Sequence, residues 1–471
     1  MSWYLKIART RAAAAAHWLL VIGVLLAAAP SARAQSGGPQ YIVQSGDTLY
    51  GIAQRFGVSV ADLQAANPNV SAAALRIGEA VVIPGLSGVS GTVGTHALEP
   101  GESLDSLALR FGLKRDTLIQ LNHIVNPERL YINESVIVVD APDNGAALSK
   151  AVLYPATGGA GWLSLAAAAG QNPWALAALN HADLPVGPLP PEGLAAPGGD
   201  SPPSALPYPL RTLQALHLPA QQGSTLVLQL AAAQPVTLTG TLGDWPLNFH
   251  ANPAAPATYL ALQGIYRMAD PGLYTLVITA TEAAGNAVHF EQPLGVRAGN
   301  FASERLTVDP ATLDPAVTVP EEAQLEALTA PVTPQRLWNG KFVAPSVGGI
   351  TDWFGTLRSL NSGPFNVFHT GVDFSGGTDR PVTAPAAGVV VFTGLTIVRG
   401  NMTIIDHGWG VYTCYFHQSV IKVEPGQTVT PGEVLGYQGS TGRVTGPHLH
   451  WEMWVGGIQV NPLQWLAEVF P

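Results

Sequence analysis

The sequence predicts a multidomain, β-rich chain with small βααβ modules first, a two-sheet β-sandwich in the middle and a mainly antiparallel β domain at the C-terminus. Three observations carry that prediction. With 471 residues the chain is too long for one ordinary domain. A pattern of apolar residues, glycine and asparagine near the N-terminus returns 55 residues later. From about residue 207, short β-prone runs with a period of two replace the helical spacing. Charged residues make up only 11% of the chain, and 39 prolines and 51 glycines are spread through apolar stretches. Such a composition fits β-rich modules joined by stiff spacers.

Residues 1–34 carry Lys6, Arg9 and Arg11, then a mostly apolar run over 12–29, then Ala32-Arg33-Ala34. A positive start, an apolar middle and a small-x-small exit predict a secretory signal cleaved after Ala34, with no stable membrane span afterwards. Losing Lys6, Arg9, Arg11 and Arg33 from the 22 basic residues leaves 18 against 32 acidic, a net charge of −14. That balance excludes nucleic acid as a partner, because such binding is driven by Lys and Arg on phosphates. Cys414 is the single cysteine, so no intrachain disulfide forms and extracellular stability must come from packing and metal.

The first module is read at 35–88. Tyr41-Ile42-Val43 reads as a strand, Gly46-Asp47-Thr48 as turn and N-cap, and Leu49, Ile52, Ala53 and Phe56 as one helical face ending at Gly57. Ser59 caps a second helix carrying Leu63, Asn67-Pro68-Asn69 ends it, and Val81-Val82-Ile83 closes a βααβ unit. Leu49, Phe56, Gly57, Leu63 and Asn67 recur as Leu104, Phe111, Gly112, Leu118 and Asn122, so a second module is read at 95–142. Shifting Gly112, Leu118, Leu121 and Asn122 by 58 gives Gly170, Leu176, Leu179 and Asn180, a degenerate third copy over 150–200.

These repeats resemble the LysM module, a βααβ fold that binds glycans containing N-acetylglucosamine, such as peptidoglycan or chitin. The resemblance rests on Tyr41-x-Val43-x-x-Gly46-Asp47-Thr48-Leu49 with Ile83-Pro84, and on Pro100-Gly101-Glu102-Ser103-Leu104; the third copy is only LysM-like. It implies sugar contacts in the loops after the first strand and the second helix, at Gly46, Asp47, Thr48, Asn67 and Asn69.

Over 205–300, β-prone runs at 225–230, 236–241, 247–250, 273–280 and 287–290 alternate with turn signals such as Gly243-Asp244 and Gly285-Asn286. Regular short strands of this kind predict an immunoglobulin-like β-sandwich serving as a spacer. Its His217, His250 and His289 are far apart in sequence and are assigned no chemistry. Residues 301–335, with five prolines and one short helix expected over 321–330, read as a semi-rigid connector that wraps a neighbour.

The C-terminal domain is read at 336–471, and five of the twelve histidines fall after residue 368. In His448-Leu449-His450 an extended chain projects both imidazoles, with Glu452, from one face. In His369-Thr370-Gly371-Val372-Asp373 an even separation again gives one face. Two imidazoles and a carboxylate, as in His369, His450 and Asp373, make a three-ligand set of the kind that leaves zinc an open position. Cys414 stands at an odd separation from His417, which predicts the opposite face and a buried, inert thiol. His417 and His448 remain as imidazoles able to supply proton transfer and oxyanion stabilisation, with Glu452 expected to orient one of that pair.

With those residues on the page, residues 348–461 resemble the lysostaphin-type zinc metallopeptidases of family M23. The resemblance includes His369-x-Gly371-x-Asp373, Pro381-Val382-x-Ala384, Gly388-x-Val390, His407-Gly408-x-Gly410, Tyr415-x-His417 and Ser440-Thr441-Gly442-Arg443-x-Thr445-Gly446-Pro447-His448-Leu449-His450. It implies one Zn2+ per chain on His369, Asp373 and His450, and His417 and His448 as the catalytic pair. It also implies cleavage of cross-link or stem peptides of peptidoglycan. Gln418 replaces a usual leucine and Leu357 a common arginine, and neither is a ligand. Asn361 either lines the groove or caps a turn, and His407 reads as structural. The expectation is a secreted, cell-wall-associated zinc endopeptidase held on glycan strands by LysM modules. A non-catalytic activator of wall amidases is the alternative, disfavoured because such proteins lose site residues and all five stand here.

Overall fold

The fold is that of a computed structural model, which describes residues 38–471 apart from 72–74, 87, 88, 90, 141–150, 155–160, 169, 170, 181, 183, 188, 190–193, 198–205, 253 and 254. The secretory signal expected over 1–34 lies outside the described residues. The chain divides into two compact units. One holds the first repeat; the other holds the helices of the second repeat and the chain from residue 151 onward.

In the first unit, strands Gln40–Ile42 and Ala80–Val82 pair antiparallel, with Tyr41 opposite Val81. Helices Leu49–Arg55 and Val60–Ala66 lie between them. The Thr48 hydroxyl accepts from Gly51 N–H at 3.0 Å and the Ser59 hydroxyl from Asp62 N–H at 3.0 Å, satisfying helix donors that would otherwise lack partners. Leu49, Ile52, Phe56 and Leu63 are buried, as the i, i+3, i+7 spacing requires.

The second repeat carries helices Leu104–Phe111 and Arg115–Leu121. Its likeness to the first extends beyond the five matched positions. In the first copy Asp47 accepts from the Tyr41 hydroxyl (2.7 Å) and from Gln44 N–H (2.7 Å), and pairs with Arg55 at 3.0 Å. Fifty-five residues on, Glu102 pairs with His96 (2.6 Å) and Arg110 (2.6 Å) and accepts from Glu99 N–H (2.8 Å). This module is docked on the sandwich: Gly101 N–H donates to Gln292 Oε1 at 2.7 Å and Ile132 N–H to the Pro293 carbonyl at 2.8 Å.

Residues 151–197 repeat the order strand, helix, helix, strand. Ala151–Tyr154 pairs antiparallel with Leu194–Pro197 around helices Trp162–Ala168 and Pro173–Leu179. The asparagine after each second helix clamps the helix end in all three copies. Asn67, Asn122 and Asn180 donate to the carbonyls of Leu63, Leu118 and Leu176 at 2.8, 2.9 and 2.7 Å.

The middle region consists of two β-sheets. One is ordered Trp245–Pro246, Thr237–Leu242, Gly272–Thr281, Ala287–Arg297, Ala220–Gln221; the other Phe249–Ala251, Thr258–Gly264, Thr225–Ala232, Leu210–Leu216. Leu226, Leu228, Leu230, Ala261, Leu276 and Ile278 are among the side chains that fill the core between them. Strand Thr258–Gly264 had no alternation to announce it, because both of its faces are covered. Ala261 enters the sandwich core, whereas Leu260 and Leu262 join the core of the C-terminal domain.

This region is therefore no mere spacer. His250 stacks on Trp409, centroids 4.8 Å apart and planes 9° apart. His217 stacks on Phe470 at 4.7 Å, and Trp465 Nε1–H donates to Thr225 Oγ1 at 3.0 Å. Histidines without assigned chemistry thus hold two β layers together.

The C-terminal sheet is antiparallel throughout and ordered Ile350–Asp352, Val372–Ser375, His448–Val455, Val411–Gln418, Gly400–Gly408, Gly388–Thr396, Thr428–Val429, with Ile458–Val460 also paired to His448–Val455. The connector wraps this domain. Its Ser303–Leu306 strand pairs parallel with Leu357–Leu360, the Tyr412 hydroxyl donates to the Pro331 carbonyl at 2.7 Å, and Trp409 N–H to that of Thr333 at 2.7 Å. Its helix runs over Pro315–Thr329, six residues earlier than expected. Asp314 caps it, with Pro315 in the first turn where a missing N–H costs nothing, and Pro320 is carried inside.

Candidate metal centre

Sheet register brings the candidate ligands together. Asp373 lies directly opposite His450 on the neighbouring antiparallel strand, so both side chains leave the same face. His369 stands three residues before the Val372–Ser375 strand and returns to it across Gly371. A Cβ at Gly371 would lie 2.3 Å from the Trp451 carbonyl oxygen and 2.8 Å from His450 Nε2, so no larger residue fits between the two histidines.

The three ligand atoms form a small triangle: His369 Nε2 to Asp373 Oδ1 3.1 Å, His369 Nε2 to His450 Nδ1 2.9 Å, and His450 Nδ1 to Asp373 Oδ1 2.9 Å. Neighbouring ligands of a tetrahedral zinc with bonds of roughly 2.0–2.1 Å are spaced about 3.3 Å apart. The triangle is a few tenths of an ångström tighter, on a scale one small ion spans. The remaining ring atoms are committed elsewhere. His369 Nδ1–H donates to the Trp353 carbonyl at 3.1 Å, and His450 Nε2–H to Glu452 Oε1 at 3.2 Å. Each outer partner fixes a tautomer with its lone pair on the triangle.

The electrostatics fit a cation as well. Burial alone would raise the carboxyl of Asp373, but the imidazoles of His369 and His450 against it hold it well below the ordinary carboxylate range. Burial likewise opposes ionisation of Glu452, yet His450, Arg399 and Thr370 keep it down at about 2. Burial would neutralise His450, but the hydrogen bonds and charges of Asp373 and Glu452 bring it up to about 9, and a metal bound at Nδ1 would take the place of that proton. Two ionised carboxylates therefore flank one buried point and draw positive charge to it.

His417 and His448 stand beside the triangle and outside it, ring centroids 4.9 Å apart. His448 Nε2 is 3.7 Å from Asp373 Oδ2. Each donates Nδ1–H to a main-chain carbonyl, His417 to Thr441 and His448 to Gly446, both at 2.8 Å, which leaves each Nε2 as the tautomer's acceptor atom when the ring is neutral. Burial, with His450 and His448 adding to it, pushes His417 down to about 3, and the ring is neutral.

Two expectations, on Glu452 and on Cys414, are corrected. Glu452 orients His450, a ligand of the triangle, and neither of the flanking imidazoles. Cys414 is buried, but on the same face as the triangle, since it lies opposite Glu452 while Phe416 lies opposite His450. His417 escapes the strand's alternation because its backbone is left-handed, with φ 62°. In the first module, Asp47 is tied to Tyr41, Gln44 and Arg55. Asn67 is buried, accepting from Val82 N–H at 2.8 Å and donating to the Leu63 and Val82 carbonyls. Gly46, Thr48 and Asn69 are exposed, the Thr48 hydroxyl also capping its helix.

Of the open residues, Asn361 exchanges two hydrogen bonds with the main chain of Val308 (2.9 and 3.0 Å) and ties the connector down. His407 is buried between the Ala387 carbonyl and the Thr413 hydroxyl, 2.8 Å from each. Thr370, whose hydroxyl donates to Glu452, and the carbonyls of Trp353, Thr441 and Gly446 were missed by sequence reasoning. A main-chain acceptor leaves no trace in residue type, so no signal could have found those three.

Comparison with known proteins agrees with this geometry. Family models match peptidase family M23 over residues 367–462 and the LysM domain over residues 41–84 and 98–139. The DD-carboxypeptidase/endopeptidase Mpg of Neisseria meningitidis serogroup B is 46% identical over 95 residues. The peptidoglycan DD-endopeptidase ShyA of Vibrio cholerae serotype O1 is 45% identical over 96. Each match covers 20% of this chain, which spans 22% of the length of these curated relatives. A crystal structure of a Pseudomonas aeruginosa protein described as a peptidase M23 aligns with 53% of this chain and 96% of its own, at 26% identity and a TM-score of 0.40. The chain thus matches the LysM domain at residues 41–84 and 98–139 and peptidase family M23 at residues 367–462.

Proposed function

We propose that the chain is a zinc metalloendopeptidase that cleaves cross-link or stem peptides of peptidoglycan at the cell envelope, held on the glycan strands by its LysM domains. The observation that carries this reading is the triangle of His369, Asp373 and His450 with two further imidazoles beside it. Relatives named as peptidoglycan DD-endopeptidases support the substrate, and the secretory pattern of residues 1–34 supports the compartment. No helix among the described residues is long and apolar enough to cross a membrane.

His369, Asp373 and His450 would hold the zinc, which supplies Lewis acidity toward the scissile carbonyl and toward water. The chain's own residues manage the protons. A neutral imidazole with Nδ1–H held on a carbonyl can accept a proton at Nε2 from the attacking water as its oxygen bonds to the carbonyl carbon. The resulting N–H hydrogen-bonds the developing oxyanion, and the proton passes to the amine nitrogen as the C–N bond breaks. His417 and His448 are close enough to divide these tasks. Gly46, Asp47, Thr48, Asn67 and Asn69 are the candidates for glycan contact in the first LysM domain, Gly46, Thr48 and Asn69 being exposed, and residues 151–197 are a third module of the same build. Tethering on glycan raises the concentration of peptide at the site.

The test measures zinc content and release of soluble fragments from purified peptidoglycan for the wild type and His448→Ala. The variant keeps its zinc and loses release; equal release from both proteins rejects the reading. Pelleting of the full chain with insoluble peptidoglycan, competed by N-acetylglucosamine oligomers, tests the LysM role.

A further inference from the structure

The stretch matched as peptidase begins at residue 367, yet a buried carboxylate from far upstream is bonded to a turn that backs its candidate site. Glu321 lies on the connector helix Pro315–Thr329 and is only 7% exposed. It accepts from Val398 N–H (2.9 Å), from Arg399 N–H (2.9 Å) and from Arg399 Nη1 (3.1 Å). A buried charge with three donors is a rigid fixture, because withdrawing any partner leaves the charge exposed to an apolar medium.

What Glu321 fixes is the turn between strands Gly388–Thr396 and Gly400–Gly408, and that turn bears on His417 once directly and once through Thr441. The Arg399 carbonyl accepts the His417 backbone N–H at 2.9 Å, at the residue whose left-handed φ re-aims its ring. Gly400 packs so tightly on Thr441 that a Cβ would lie 2.3 Å from the Thr441 carbonyl oxygen, the same oxygen that accepts His417 Nδ1–H. A third line runs through the guanidinium. Arg399 sits 5.6 Å over the Phe416 ring, and Phe416 in turn stacks on His450. The loop on the far side is held to the connector too, Arg443 Nη1 donating to the Thr312 carbonyl at 3.1 Å.

We propose that Glu321 is a positioning residue for the peptidase site, setting the backbone turn and the tautomer of His417 from outside the family domain. This rests on the peptidase reading of the site. A catalytic ring displaced by a fraction of an ångström loses rate while the groove that binds substrate is unchanged, so the effect falls on kcat.

The test uses the full chain. Glu321→Gln, which removes the charge at nearly constant shape, is expected to lower kcat for peptidoglycan hydrolysis by about tenfold or more, with KM and zinc content within about twofold of wild type. Glu322→Gln, altering the exposed partner of Arg399, leaves kcat unchanged. If Glu321→Gln does not fold, Glu321→Asp keeps the charge but withdraws it by one methylene and is expected to show the same loss. An unchanged kcat in whichever variant folds overturns the proposal. Should the wild type hydrolyse no peptidoglycan, the peptidase reading fails, and positioning is read from the 15N resonances of His417. The proposal requires Nδ1-protonated His417 in wild type and mixed tautomers in the variant; identical resonances overturn it.

Discussion

Phe416 lies flat against His450, with ring centroids 5.3 Å apart and planes 5° apart, directly opposite it on the neighbouring strand. The stack closes the one side of the imidazole that hydrogen bonds leave free, since Asp373 and Glu452 take its two nitrogens. A ring held at both nitrogens and across its face keeps Nδ1 aimed at the triangle, so little rotamer entropy is lost when a metal takes the place of its proton.

Replacing Phe416 with Leu keeps the apolar volume and removes the flat surface. Partners that orient a ligand are worth roughly 10–100-fold in metal affinity. Phe416→Leu is therefore expected to weaken zinc binding about tenfold, read by competition with a chromogenic chelator. Affinity equal to wild type would show that the stack is only packing.

The same register predicts the behaviour of the single thiol. Cys414 lies opposite Glu452, and burial together with that carboxylate pushes the thiol far above its ordinary range. It is a thiol and not a thiolate at any working pH, and so neither ligand nor nucleophile. A thiol reagent such as dithionitrobenzoate is expected to find no reactive group in the native chain and one after denaturation. Reaction at the native stage would contradict the burial.

Alternation made much of this site legible. His450 and Glu452 share a face because they are two apart on a regular strand, and Asp373 joins them through register. It failed at His417, where the strand's last turn is left-handed and the parity count no longer applies. The constant offset of 55 revealed the repeat, and the clasps of Asp47 and Glu102 obey it even though Tyr41 becomes His96. The strand Thr258–Gly264 was hidden by burial on both sides. Pro320 hid the first turns of the connector helix, and nothing local marked Glu321, whose importance depends on a contact 77 residues away.

Asn67 offers a test of how the first LysM domain is held together. Its amide makes three hydrogen bonds that join the second helix to the last strand. In Asn67→Ala the main-chain groups of Leu63 and Val82 lose their partner in a buried position, at a cost of about 2–4 kcal/mol. A module of this size has little stability in reserve. The variant is expected to lose binding to insoluble peptidoglycan and to be cleaved by protease within residues 38–84, while zinc content is unchanged. Retained binding would mean that the clamp is dispensable.

His407 should make the C-terminal domain sensitive to acid well above the carboxylate range. Full burial pushes its folded pKa down to about 4, whereas an unfolded histidine titrates near ~6.5. Between those values the unfolded state binds more protons, so stability is present above pH ~6.5 and is lost as pH falls toward 4. The loss from this one group is on the order of 3 kcal/mol. His250, also lowered to about 4 by burial, acts in the same direction at the contact with the sandwich. His407→Asn, neutral at every pH and able to donate and accept, removes the proton uptake at some cost to packing against Phe342. Urea midpoints followed by tryptophan fluorescence at pH 7, 5.5 and 4.5 are expected to fall steeply for wild type and more gently for the variant. Parallel pH profiles would show that the charge on His407 is not what acid exploits.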